Sequence, residues 1–150
     1  MDHSELAGAF FKQGYNCSQS VLLAFAETYG LSLEQAAQVA AGFGGGMGRL
    51  GHTCGAVSGG LMALGLARGI VTPGDKAAKE ETYALARRFQ ARFAERFGAL
   101  DCKDLLGVDI STPEGQAQAR AEGRYTGCAA FVQGAAALLS EMLNELTPAR

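Results

Sequence analysis

Four cysteines are the residues in this chain best suited to chemistry: Cys17, Cys54, Cys102 and Cys128. The thiolate form of cysteine attacks disulfides and binds metal ions, whereas the protonated thiol does neither well. Local metal motifs usually contain close pairs such as C-x-x-C, and here each cysteine lies tens of residues from the next. The cysteine spacing therefore leaves three interpretations open: redox-active thiols, ligands of a metal or cluster, or small buried hydrophobic side chains.

The segments that position these cysteines are predicted to be helices. Stretches with helical periodicity are separated by Gly, Asn, Asp and Pro, and no stretch alternates polar and apolar residues over the length of a strand. The composition, 48% hydrophobic with 3 prolines in 150 residues, is that of a packed globular chain. We expect an all-α fold, a single domain over residues 1–150 that forms a bundle of about six to eight helices.

Capping and terminating residues mark the predicted helices. Ser4 is predicted to cap the first helix, and Pro148 to follow the last. The polar segment 109–124 is predicted to be a surface excursion that contains a weak helix. The other predicted ranges are 4–13, 16–28, 32–42, 54–71, 73 or 75 to 97, 101–106, and 126 to 128 through 145, with Asn16, Ser32 and Asp75 among the residues able to start a helix.

Each of the four cysteines falls at or within the first turn of a predicted helix. The N–H groups of a first turn lack helical partners and lie at the positive end of the helix dipole, which stabilises a thiolate. We therefore expect the thiol pKa to be lowered at all four positions. Asp101, next to Cys102, is expected to oppose this effect by raising the pKa of that thiol.

A glycine-rich stretch, residues 42–55, precedes the helix that begins at Cys54. We expect it to deliver Cys54 to a helix start and to present N–H groups to a thiolate or a cluster sulfur, although a tight turn between packed helices would also need the glycines. Small residues at four-residue spacing then form a ridge for close helix packing, with Ala130 and Gly134 as predicted partners on the last helix. The ridge is Gly55, Gly59, Ala63 and Ala67.

Four thiols that meet cannot all be ionised without a counter-charge, because two thiolates about 4 Å apart repel each other by roughly 4 kcal/mol. They would share protons, form disulfides, or surround a metal ion or cluster. We expect Cys54 and Cys128 to meet through close helix packing. His52 is a weaker candidate for a ligand or base, and Arg49 and Arg124 are candidate counter-charges.

The sequence gives no support to several classes of function. The net charge is −2 and the basic residues are scattered, so we expect no nucleic-acid binding. Residues 46–51 satisfy G-x-G-x-x-G, but a helical segment precedes them, so we expect no dinucleotide site. The N-terminus carries no export signal, and the apolar stretch 54–71 is short for a membrane helix. We expect a cytoplasmic protein without a membrane span, and hence reduced thiols.

The motifs around the cysteines resemble those of the C_GCAxxG_C_C family, which is described as redox-active. The resemblance rests on GYNCSQ at 14–19, on CGAVSG at 54–59 and on the single cysteines at 102 and 128, and Thr53 stands where the family name has a glycine. It implies that the four cysteines are the functional residues. A distant similarity of the family to the cluster-binding part of split-Soret cytochromes implies an iron–sulfur centre, while the lack of a C-x-x-C-H motif excludes covalent haem.

These observations lead to one main hypothesis and two alternatives. The main hypothesis is a redox-active protein whose cysteines cycle between dithiol and disulfide or hold an iron–sulfur cluster, with Cys54 attacking and Gly51, Gly55 and Gly59 binding the cofactor. The alternatives are a module that binds Zn or another thiophilic ion through the four cysteines, and an interaction protein with incidental cysteines. We expect an unidentified redox partner protein; a homodimer and an oxidoreductase-like enzymatic activity are left open.

Overall fold

The computed structural model describes residues 1–146, and in this range it consists of helices and turns without a β-strand. Eight right-handed α-helices lie in the described part, which confirms the all-α prediction and its helix number. Pro148, predicted to follow the last helix, lies outside the described residues. The helices are α1 (His3–Lys12), α2 (Cys17–Ala26), α3 (Leu33–Ala40), α4 (Gly55–Arg68), α5 (Lys76–Phe97), α6 (Cys102–Leu106), α7 (Pro113–Ala121) and α8 (Cys128–Glu145).

Side-chain caps fix where most of these helices begin. The prediction that Ser4 caps α1 is wrong. Asp2 accepts a hydrogen bond from the Glu5 N–H (2.8 Å) and donates its own N–H to the Glu5 carboxylate (3.1 Å), and this reciprocal pair starts the helix before Ser4. The predicted starts of α2 and α3 near Asn16 and at Ser32 are confirmed, and of the two predicted starts of α5 the structure has Asp75; all three residues cap their helices through the side chain.

Helix α2 lies at the centre of the bundle and packs against α1, α3, α4 and α8. Nearly all of its side chains are buried, including Val21 and Phe25 at 0% exposure. The long helix α5 adds an apolar face on which Leu85, Phe89 and Phe93, at four-residue steps, are buried. Burial of such side chains contributes roughly 1.5–3 kcal/mol each, which makes this cluster the main core.

The two glycines of the ridge on α4, Gly55 and Gly59, pack on α2 and not on the predicted partners Ala130 and Gly134 of α8. A Cβ added at Gly59 would lie 2.5 Å from the Ser18 carbonyl oxygen, so the backbones of α2 and α4 touch at this point. The predicted partners have other surroundings: Ala130 is exposed, and Gly134 faces the ring of Phe97. Gly134 thus accommodates the Phe97 ring of α5 and not a small residue of the ridge.

A second, smaller hydrophobic cluster forms around α6 and α7. It contains Cys102, Leu106, Ile110 and Ala119, all buried, with Tyr125 and Cys128 packed against them. The prediction that segment 109–124 is a surface excursion is therefore wrong in part, because its buried side chains complete this cluster. The smaller cluster packs beside the N-terminal ends of α2 and α4.

Within residues 1–146, the continuous helical stretch Arg124–Glu145 is the one segment whose length and hydropathy would let it cross a membrane. About 39% of the most apolar 18 residues of this stretch are buried inside the fold. Val132, Ala135 and Leu139, at 0% exposure, pack into the main core. Length and composition of this kind are also found in the core helices of soluble proteins, so the segment is weak evidence for a membrane span.

Candidate functional site

Cys17 is the first residue of α2, where Asn16 controls the geometry of the helix start. The Asn16 side chain accepts the Gln19 N–H (3.0 Å) and the Ser18 hydroxyl (2.8 Å), and its amide donates to the Ala41 carbonyl (3.0 Å). In return, the Gln19 side-chain oxygen accepts a hydrogen bond from the Asn16 N–H (3.1 Å). This closed network holds Cys17 at a fixed position beside the turn that leads into the glycine-rich loop.

The glycine-rich loop contains a left-handed turn. Five consecutive residues, 45–49, have φ values between 66° and 70°, and Gly51 has φ 78°. A Cβ at Gly46 would lie 2.6 Å from the His52 backbone and 2.7 Å from the Cys102 Cβ, so this position requires glycine. The turn thus lets the chain fold back tightly against α6, which confirms the interpretation that the glycines allow close backbone approach.

A short antiparallel pairing beyond this turn places two cysteines together. Thr53 and Asp101 form an isolated β-bridge. The Cys54 N–H donates to the Leu100 carbonyl (2.7 Å), and the Cys102 N–H donates to the His52 carbonyl (2.6 Å). The backbone of the loop, and not the side chain of His52, therefore ties the start of α4 to the start of α6.

All four cysteines line one cavity of about 150 Å³, which we call the thiol cavity. It lies at the seam between the two hydrophobic clusters, with Cys17 and Cys54 on the main core and Cys102 and Cys128 on the smaller cluster. The four thiols are free. No charged side chain takes part in the lining, whose other members are Phe11, Asn16, Gly45, Gly55, Leu105, Leu106, Ile110, Tyr125 and Phe131.

Sequence reasoning identified the cysteines but missed the aromatic wall of this cavity. Tyr125 and Phe131 lie three residues before and after Cys128, and all three line the thiol cavity. A spacing of three residues along a helical segment places side chains on one side of it. This spacing was the signal that could have marked Tyr125 and Phe131 as neighbours of the sulfur.

Burial dominates the pKa of the two interior thiols. It raises the pKa of Cys54 to about 11, although the N–H groups of Ala56 and Val57 partly oppose the rise. It raises the pKa of Cys102 to about 12, with further increases from the neighbouring thiols and from Asp101, as expected. The prediction of lowered pKa values at all helix starts is wrong at these positions because the loss of hydration outweighs the helix dipole.

The other two thiols form a hydrogen-bonded pair. The Cys17 thiol donates to the Cys128 sulfur, and this bond, with burial, raises the pKa of Cys17 well above its ordinary value. The same hydrogen bond lowers the pKa of Cys128. Cys128 begins α8 directly after a 3-10 turn (Arg124–Gly127), and its own N–H donates to the Tyr125 carbonyl, so the hydrogen bond from Cys17 is the main cause of the lowered pKa. Cys128 is therefore the thiol of the four that ionises most readily.

The four cysteines are also a possible ligand set for a metal ion or a cluster. Four soft sulfur donors suit zinc or an iron–sulfur cluster. As they stand, however, the described residues contain no group of three or more His, Cys, Asp and Glu side chains arranged to hold a metal ion. Because all four sulfur donors line one cavity but are not arranged around a single point, the donor set fits a multi-atom centre better than a single ion.

The remaining sequence candidates lie around the site with different roles. Gly55 lines the thiol cavity, where a Cβ would lie 3.0 Å from the Cys17 Cβ. Gly51 and Gly59 do not line it: Gly51 lies against the Lys103 side chain, and Gly59 against the backbone of α2. Cofactor binding by these glycines stays a prediction. Arg124 pairs with Glu122 at 3.3 Å, and neither Arg124 nor Arg49 lines the cavity.

Comparison with known proteins gives one match. A family model described as "Putative redox-active protein (C_GCAxxG_C_C)" matches residues 15–142, a range that contains all four cysteines and the glycine-rich loop. No curated protein and no solved structure gives a significant match. Because the matched range covers most of the chain, this protein belongs to the C_GCAxxG_C_C family.

Proposed function

We propose that this chain is a thiol–disulfide redox protein whose reacting pair is Cys17 and Cys128. The observation that carries the proposal is the hydrogen bond between these two thiols in a cavity lined by all four cysteines. Both are partly exposed, whereas Cys54 and Cys102 are only 4% and 8% exposed. An external disulfide therefore meets the pair before it meets the interior thiols. The description of the family as redox-active supports the same class of function.

The reaction uses the two thiols in sequence. The Cys128 thiolate attacks one sulfur of a substrate disulfide, forms a mixed disulfide and releases the first substrate thiol, which takes up a proton. Cys17 then loses its proton and attacks the Cys128 sulfur, which releases the second substrate thiol. The substrate disulfide gains two electrons, and the protein is oxidised to a Cys17–Cys128 disulfide. A dithiol reductant reverses the last change.

Cys128 takes the attacking role that the sequence assigned to Cys54. A nucleophilic thiol needs a substantial thiolate fraction and access to the substrate. Burial raises the pKa of Cys54 to about 11, so this thiol is protonated at neutral pH. Cys54 and Cys102 then stay protonated at the interior side of the cavity and do not take part in the first attack.

Labelling kinetics test this assignment. In the anaerobically reduced protein at neutral pH, iodoacetamide should alkylate Cys128 first, as read by peptide mass spectrometry. Cys17→Ala removes the donated hydrogen bond and should slow alkylation of Cys128 severalfold, while Cys17→Ser, which keeps a donor, should slow it less. Limited oxidation should give a Cys17–Cys128 disulfide. First labelling at Cys54 or Cys102, or a different disulfide, would refute the assignment.

A second candidate function is an iron–sulfur centre held by the same four cysteines. Its support is that four sulfur donors line one cavity. The Zn-binding alternative has less support, because a single ion needs ligands that converge on one point, and no such group of three or more is present in the described residues. Such a centre would supply one-electron transfer. Protein purified anaerobically would then be brown, with iron and sulfide in proportion and with colour lost in each Cys→Ser variant. Colourless protein with four titratable thiols favours the dithiol function.

The proposed reaction also favours a cytoplasmic location. Free thiols that cycle with a disulfide are typical of a reducing compartment, where structural disulfides are rare. We therefore place the protein in the cytoplasm, where a protein dithiol could reduce it again. Trapping of that partner as a mixed disulfide by a variant without the second thiol would test this placement.

A further inference from the structure

A second and larger depression opens beside the thiol cavity. It has a volume of about 540 Å³, and we call it the arginine groove. It shares Asn16, Gly45, Ile110 and Tyr125 with the thiol cavity, so the two spaces have a common wall. Asn16 precedes Cys17, and Tyr125 lies three residues before Cys128. A molecule bound in the groove therefore lies next to the reacting pair.

The groove is lined by two cations and by no acidic side chain. Arg49 and Arg120 both line it, and within residues 1–146 neither forms an ion pair. The chain as a whole has a net charge of −2, so this local excess of positive charge is opposite to the average. Guanidinium groups bind carboxylates through paired, charge-assisted hydrogen bonds. The groove thus has the chemistry of an anion site.

Arg49 is held in an unfavourable backbone conformation. Its φ of 70° lies in the left-handed region, which costs a non-glycine residue roughly 1–2 kcal/mol. Its side chain packs over Gly45, where an added Cβ would lie 2.9 Å from the Arg49 Cγ. Gly45 belongs to the wall that the groove shares with the thiol cavity. A glycine at position 49 would avoid the strain but would remove the cation beside the thiols.

The volume of the groove limits what it can bind. About 540 Å³ lies within the range of roughly 300–1,000 Å³ that is usual for small-molecule sites. We propose that the arginine groove binds the carboxylates of a small anionic disulfide and presents its sulfur–sulfur bond to Cys128. This inference rests on the thiol–disulfide function proposed above. The reaction is then the reduction of one small disulfide to two small thiols, with oxidation of the Cys17–Cys128 pair.

Single-turnover oxidation of the reduced full-length protein separates charge recognition from thiol chemistry. Two probes are compared: oxidised glutathione, which is anionic, and bis(2-hydroxyethyl) disulfide, which is neutral. Formation of the Cys17–Cys128 disulfide is followed under anaerobic conditions by quenching and mass spectrometry. We expect Arg49→Gln and Arg120→Gln each to slow oxidation by glutathione disulfide about tenfold at subsaturating concentration, with the neutral probe unchanged. The unchanged rate with the neutral probe also shows that each variant is folded.

A matched control and the contrary outcomes complete the design. Arg87→Gln removes an exposed arginine of α5 outside the groove, and it should leave both rates unchanged. If Arg49→Gln and Arg120→Gln slow neither probe, or slow both equally, the groove does not recognise the anionic disulfide and this inference is overturned. If neither probe oxidises the Cys17–Cys128 pair in the unmodified protein, the proposed function itself fails.

Discussion

Replacement of Gly59 by alanine tests whether the contact between α2 and α4 builds the site. The new Cβ would lie 2.5 Å from the Ser18 carbonyl oxygen and 3.0 Å from the Ser18 Cα. Ordinary van der Waals contact begins at 3.4 Å, so α4 must move by almost 1 Å or both helices must deform. The obstacle is backbone, which cannot rotate away as a side chain can. Overpacking of this kind costs about 1–3 kcal/mol.

The control is Gly65→Ala in the same helix, where an added Cβ meets nothing within 4 Å. Alanine is favoured over glycine inside a helix by up to about 1 kcal/mol, and this gain is common to both variants. The difference between their free energies of unfolding therefore isolates the steric cost, and we expect Gly59→Ala to be less stable than Gly65→Ala by about 1–3 kcal/mol. Urea unfolding followed by circular dichroism measures this difference.

A thiol readout connects that stability change with the site. Because α4 carries Cys54 at its start, displacement of α4 from α2 should expose the interior thiols. Alkylation of Cys54 under native conditions should then be faster in Gly59→Ala than in Gly65→Ala. Equal stability and equal alkylation rates in the two variants would refute the reasoning that close packing at Gly59 positions the cysteine.

Two further predictions concern the thiols. The pKa values of Cys54 and Cys102 are raised in the folded state, from 9.0 to about 11 and about 12, so their stabilising effect is complete below pH 9 and is lost as the pH rises through the folded values. The free energy of unfolding should fall by about 1 kcal/mol for each raised thiol between pH 8 and pH 10, and because the pKa of Cys17 is raised as well, Cys54→Ser should remove about one third of this fall. A disulfide between Cys17 and Cys128 would close a loop of about 110 residues. The free energy of unfolding, measured with urea, should be up to about 5 kcal/mol higher for the oxidised protein than for the reduced protein. No increase at all would argue against an unstrained disulfide.

Local sequence signals predicted the helices well because each signal acts within a few residues. Asn16, Ser32 and Asp75 each satisfy N–H groups of the next turn, which is an interaction that the sequence contains completely. The choice of Ser4 over Asp2 failed because both residue types cap helices, and the deciding partner was Glu5. The apolar face of α5 was also predictable, since its four-residue steps determine which side is buried.

The site was only partly predictable because its parts come from contacts between distant segments. The sequence showed that all four cysteines start helices, but it could not show that the backbone of residues 51–54 pairs with residues 100–103. The small-residue ridge was recognised, while its partner, the backbone at Ser18, carries no distinctive side-chain signal. The pKa values were predicted with the wrong sign at Cys17, Cys54 and Cys102, because burial and contacts between the thiols are properties of the whole fold.

The position of the thiols at a seam explains why they lie far apart in sequence. Cys17 belongs to the main core and Cys128 packs on the smaller cluster, so their hydrogen bond spans the boundary between two packing units. A local C-x-x-C motif would keep its sulfurs together whether or not these units were packed. Here the sulfurs meet only while the smaller cluster is packed against the starts of α2 and α4. Thiol reactivity is therefore coupled to packing, and oxidation of the pair would join the two units by a covalent bond.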